Sequence, residues 1–76
     1  MGKAKEYNGW PSWNAWNVAL WVNNDYHFHE NFLYCHENMT RKDAIDTLVE
    51  WFGGKKTPDG GVFNRRTITL ALEGMD

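Results

Sequence analysis

The sequence predicts a mainly α-helical domain, a compact small bundle of three helices followed by a short C-terminal helix or strand. Three observations carry this expectation. A charge-free stretch after Ser12 places apolar side chains nearly all round a helical wheel. Thr40, Asp43 and Gly53 bracket a segment whose apolar residues recur at helical spacing. Between them, Asn23-Asn24-Asp25 reads as a stop followed by a new start, because Asn and Asp side chains bond locally to backbone.

Taken in order, residues 1–8 have no hydrophobic period and are expected to form a loose or weakly docked arm. Gly9-Trp10-Pro11-Ser12 is a turn ending in an N-cap, where the Ser12 hydroxyl accepts from a backbone N–H one turn into the helix. The first helix then spans Trp13 to Asn23, with Trp13, Trp16 and Leu20 on one face and Ala15, Val18, Ala19 and Val22 on the opposite side. Apolar cover on both sides predicts a central helix. A second helix follows from Tyr26 to His36, its apolar side formed by Phe28, Phe32 and Cys35. The third helix is capped by Thr40 and stops at Gly53, with a stripe of Ala44, Ile45, Leu48, Val49 and Phe52. Gly53 to Gly61 is a loop around Thr57-Pro58-Asp59-Gly60, where Pro presets φ for a β-turn.

The tail from Val62 to Asp76 has two readings. Thr67-Ile68-Thr69-Leu70-Ala71-Leu72 alternates with period two, as a strand does. Ile68, Ala71, Leu72 and Met75 also share a helix face, which Asn64, Thr67 or Thr69 can cap. A lone strand needs a partner, so the balance tips slightly to a short helix.

Seventy-six residues, 1–76, make a single domain, and its stability rests on how much apolar surface so short a chain can cover. Hydrophobic residues are 42% and aromatics 16%, which excludes a disordered tail. One cysteine, Cys35, excludes an internal disulfide framework and fits a reducing cytoplasm. A net charge of -2 provides no global field for nucleic acid. The longest charge-free run, Tyr7 to Asn24, contains too many Asn residues to span a bilayer, and no signal-peptide pattern opens the chain. Neither a membrane nor a cofactor is expected.

The stretch from Tyr7 to Asp25 resembles a small-protein family widespread in bacteriophage genomes, whose members open close to YNGW-x-N-Y-x-T-W-N-V-x-L-W-I-x-N-D. Matching positions include Tyr7, Asn8, Gly9, Trp10, Trp16, Asn17, Val18, Leu20, Trp21 and Asp25, while Ser12, Trp13 and Ala15 depart from the pattern. The resemblance covers about a quarter of the chain. It implies a phage or prophage origin, and so the cytoplasm of a bacterial host cell, and assigns no activity and no site residue.

Chemistry has few footholds. His27, His29, Cys35, His36, Glu30 and Glu37 cluster in sequence, but His29 and His36 fall two helical turns apart, roughly 10 Å. That is too far for one ion with bonds of about 2 Å, so no metal site is expected. Cys35 and His36 are adjacent and point apart on a helix, and Ser12 is used as a cap, so no enzyme is expected. Gly53-Gly54-Lys55-Lys56-Thr57 follows a helix and lacks the strand-then-helix context of a phosphate loop.

Binding offers two sharper readings. Asp43, Asp46 and Glu50 form one acidic line on the third helix, which is either a solvated face or a surface complementary to a basic partner. Four of the five tryptophans lie between Trp10 and Trp21. Most of that excess is expected in the core, with Trp10 and Trp13 left to meet a partner. Together these features point to a phage-type accessory protein that works by protein–protein contact. Its expected partner is a bacterial protein or protein–nucleic-acid complex, with a defence complex (anti-CRISPR or anti-restriction activity) as the target class by analogy. A homodimer through the tryptophan face is equally consistent. The alternative is direct nucleic acid binding through Lys55, Lys56, Arg65 and Arg66, which flank the Pro58 turn.

Overall fold

The computed structural model describes Tyr7 and residues 9–76 and contains four helices, α1 (Trp13–Asn24), α2 (Tyr26–Asn38), α3 (Arg41–Phe52) and α4 (Arg65–Glu73). α1 packs on α2 and α4, and α3 packs on the same two, so the helices close a ring with α1 and α3 at opposite corners. Of the expected N-terminal arm, only Tyr7 is described, and it is docked: its N–H and carbonyl pair with those of Trp10 at 2.7 and 2.8 Å. Gly9 makes that tight return with φ at +89°, a conformation that costs glycine little. The rest of residues 1–8 lies outside the described residues.

Each helix starts where a short polar side chain satisfies an orphan N–H. The Ser12 hydroxyl accepts from Ala15 N–H at 3.1 Å, and the Thr40 hydroxyl from Asp43 N–H at 3.2 Å. Asp25 serves two helices at once. Its N–H closes α1 on the Trp21 carbonyl at 2.9 Å, while its carboxylate accepts from Phe28 N–H at 3.1 Å to open α2. Both helices run slightly past their expected ends, and each finishes on an asparagine. Asn24 Nδ2 donates to the Leu20 carbonyl and Asn38 Nδ2 to the Tyr34 carbonyl, each bonding back one turn onto its own helix.

The C-terminal tail is a helix. Asn64 is the cap, and it forms a reciprocal box with Thr67, each side chain accepting from the other's backbone N–H at 2.9 Å. Ile68, Ala71 and Leu72 then turn into the core beside Thr67. Thr69, which supplied the strand-like alternation, faces outward and donates its hydroxyl to the Arg65 carbonyl at 2.6 Å.

Phenylalanine builds the centre. Phe28, Phe32, Phe52 and Phe63 gather with ring centroids 5.2–6.1 Å apart, inside a shell that includes Val18, Val22, Leu48, Ile68 and Leu72. This corrects the expectation for tryptophan. None of the five belongs to the core: Trp13 and Trp51 are 39% and 42% exposed, and Trp10, Trp16 and Trp21 are half-buried. α1 is likewise not covered all round. It buries the narrow side carrying Ala15, Asn17, Val18, Ala19 and Val22, where small residues admit its neighbours closely, and leaves the bulky side outward.

Candidate functional site

Two sets of side chains on α1 do different work. Asn14, Asn17 and Trp21, at i, i+3 and i+7, share one face and hold the 57–62 loop. Asn14 Nδ2 donates to the Val62 carbonyl at 3.2 Å and its Oδ1 accepts from Val62 N–H at 2.7 Å, so the amide imitates a strand partner. The buried Asn17 accepts from the Thr57 hydroxyl and donates to Asp59 at 3.1 Å. The Trp21 indole N–H also donates to Asp59, at 2.9 Å. These bonds, the indole's first, hold the Asp59 carboxyl below the ordinary carboxylate range. Thr57 completes the network by accepting from Gly61 N–H at 2.9 Å. Much of the tryptophan-rich stretch is therefore a clasp for a loop some forty residues away.

The second set is presented outward. Tyr7 lies against Trp16 with ring centroids 4.9 Å apart. Trp10 and Trp16 wall an open depression of ≈ 170 Å³ with Ala19, Leu20, Asn23 and Asn24. The Trp10 ring also lies against Gly74, just past the end of α4, where an added Cβ would sit 3.1 Å from it. Trp13 lies a helical turn from Trp16 and, with Leu20 at 37%, is among the exposed large apolar residues of this side.

The acidic line does not stay free along its length. Asp46 accepts from Lys42 at 2.9 Å and from Arg65 at 2.8 Å; both bonds lower its pKa, and its own bond to Lys42 raises that of the lysine. Asp43 and Glu50 are exposed and have no ion pair among the described residues. Because α1 and α3 occupy opposite corners, these acids and the Trp10–Trp13 side are separate surfaces.

The four cations also divide. Arg65 is spent on Asp46 and, with Arg66, Thr69, Leu70 and Glu73, lines one shallow cavity of ≈ 500 Å³. Lys55 and Lys56 line a different one, of ≈ 510 Å³, with His27, Phe28, Asn31, Trp51 and Phe52. Sequence reasoning did not connect Trp51 with those lysines, and the turn at Gly53-Gly54 that brings them together was its one local signal.

The histidines separate too. His27 packs edge-on to Phe52 at 6.1 Å, and His36 Nε2 meets Asp76 at 2.8 Å beside Arg41. Among the described residues, no three His, Cys, Asp or Glu side chains form a group able to hold a metal ion. Cys35 is buried, which pushes its thiol pKa up, and the Ser12 hydroxyl is occupied as a cap. Neither is an activated nucleophile.

Among the described residues no helix is long and apolar enough to cross a membrane. A search of curated proteins and a search of solved structures each returned no match. A sequence family matches nearly the whole chain, well beyond the clasp and the outward tryptophans. The protein belongs to the family of unknown function DUF7249, which matches residues 3–75.

Proposed function

We propose that this chain is a phage-type accessory protein that acts by binding a protein partner, with no catalytic step of its own. The single observation that carries the reading is the division of aromatic labour. Phenylalanines fill the core, while Trp10, Trp13, Trp16 and Leu20 are left on one outward side of α1. Tryptophan dominates binding hot spots because one rigid side chain removes a large apolar area from water. An exposed apolar patch on so small a domain is the usual mark of such a contact.

The target class the reading names is a bacterial defence complex, reached by analogy with what phage accessory proteins do. Asp43 and Glu50, on the far corner of the ring, suit a basic surface on a large assembly that touches both sides. Tagged protein retained on a column from bacterial lysate should hold a stoichiometric partner, and Trp13→Ser should lose it while keeping its melting temperature. Equal retention by both forms, or no stoichiometric protein, would count against the proposal. Sedimentation of the pure protein tests the homodimer, which predicts a mass near twice that of one chain.

The nucleic-acid alternative needs Lys55, Lys56, Arg65 and Arg66 on one track. Arg65 engaged by Asp46 and two separate cavities weaken that track. An electrophoretic shift at low salt, abolished by Arg65→Ala with Arg66→Ala, would restore it.

A further inference from the structure

The cavity between α2 and the end of α3 is a second place where chemistry converges, independent of the tryptophan side of α1. Its floor is aromatic: Phe28 and Phe52 lie beneath, His27 stands at one wall, and Trp51 offers a ring that is 42% exposed. Its volume of ≈ 510 Å³ lies within the range of small-ligand sites. Lys55 and Lys56 stand at the rim. No Asp or Glu lines the cavity, and among the described residues neither lysine has an ion-pair partner.

The backbone beneath the lysines is fixed rather than available. Lys55 N–H donates to the Phe52 carbonyl at 2.9 Å, Gly54 N–H to Phe63 at 2.8 Å, and Phe63 N–H returns to the Lys55 carbonyl at 2.9 Å. Lys56 faces Val62 as the non-hydrogen-bonded pair of a short bridge, and Thr57 N–H donates to the Gly61 carbonyl at 2.8 Å on its other side. With the amides on both sides of Lys56 already donated, an anion has no run of free N–H groups to enter and would meet the two ammonium groups instead. Asn31 adds a polar handle. Its Nδ2 is already given to the His27 carbonyl at 2.8 Å, which leaves Oδ1 to accept from a ligand.

We propose that this cavity binds a nucleobase carrying a phosphate, with the base stacked on Trp51, an amino group of the base directed to Asn31 Oδ1, and the phosphate between Lys55 and Lys56. Charge complementarity selects an anion, and the exposed ring selects a planar group. Two cations beside one free tryptophan match a single nucleotide better than a long tract, because among the described residues Arg65 and Arg66 line a different cavity and do not extend this rim. The same chemistry is offered by a free nucleotide and by one nucleotide of a single strand.

Calorimetric titrations of the full chain with AMP, with a single-stranded oligoadenylate and with inorganic phosphate test this directly. AMP should bind more tightly than phosphate. Trp51→Leu and the double variant Lys55→Gln with Lys56→Gln should each weaken AMP at least tenfold at unchanged melting temperature, since all three side chains are exposed. Trp51→Tyr, which keeps a stacking ring, should retain most of the affinity. Raising salt from about 50 to about 200 mM should weaken oligoadenylate binding roughly sevenfold, the single-strand slope for two released counterions. An oligoadenylate no tighter than AMP would assign a free nucleotide, and a much tighter one, equally lost in the variants, would assign a strand. The proposal is overturned if neither AMP nor the oligonucleotide binds at millimolar concentration in low salt. It is also overturned if the variants bind as the parent does, or if an acidic tryptophan-containing peptide binds the cavity and AMP does not.

Discussion

Asn17 carries more of the architecture than any other polar residue on α1, because it is buried and satisfied at both ends of its amide. Asn17→Ala should destabilise the fold by about 1–3 kcal/mol, since it strands the hydroxyl of the buried Thr57 as well as removing two bonds. Gly61 reports on the same network from the other side. A Cβ there would meet Asn17 Oδ1 at 2.5 Å, so Gly61→Ala should cost about 1–3 kcal/mol of overpacking in denaturant melts. Gly54→Ala separates steric from conformational cost. Nothing lies within 4 Å of a Cβ there, but φ is +87°, so the loss should be about 1–2 kcal/mol from backbone alone. None of this was legible in the sequence. Asn14, Asn17 and Trp21 form a polar seam in an otherwise apolar helix, and that seam was the available hint that a distant loop is held there.

At the scale of elements, the caps were the readable part. Ser12, Thr40 and Gly53 stand where short polar side chains and glycine are cheapest, and the helix starts follow them. The last segment was not decidable from pattern. Two threonines spaced by one residue imitate a strand, whereas one is a reciprocal cap and the other bonds back to Arg65. Asn64→Ala should therefore weaken the fold by about 1 kcal/mol, and Thr67→Val should compound it by leaving the Asn64 N–H without its acceptor. Charge placement was also hidden. The acidic line on α3 reads as continuous until Arg65 arrives at Asp46 from a helix nineteen residues later.

The whole molecule couples its closures to carboxylates. Asp46, Asp59 and Asp76 tie α3, the loop and the last residue to the bundle, and hydrogen bonds hold all three carboxyls below their ordinary value. For Asp76 the Arg41 guanidinium is the main cause and His36 the next. A carboxyl depressed in the folded state adds stability that is fully present above its unfolded value, about 4. That contribution is lost as pH falls through the lower folded-state value. The melting temperature should stay level from neutral pH to about 5 and decline below about 4, and Asp59→Asn should make that decline shallower. A profile that declines between pH 7 and 5 would assign the loss to other groups.

The division between a phenylalanine core and outward tryptophans underlies the proposed binding role, and composition alone could not reveal it, because both residue types suit a core equally well. The most direct test is fluorine NMR of protein labelled with 5-fluorotryptophan, comparing each resonance in H2O and D2O, with single Trp→Phe variants for assignment. Trp13 and Trp51 should show the large solvent isotope shifts of exposed rings, with smaller shifts for Trp10, Trp16 and Trp21. A Trp13 resonance insensitive to solvent would contradict the account, since it would return the tryptophans of α1 to the core and leave no aromatic surface to bind a partner.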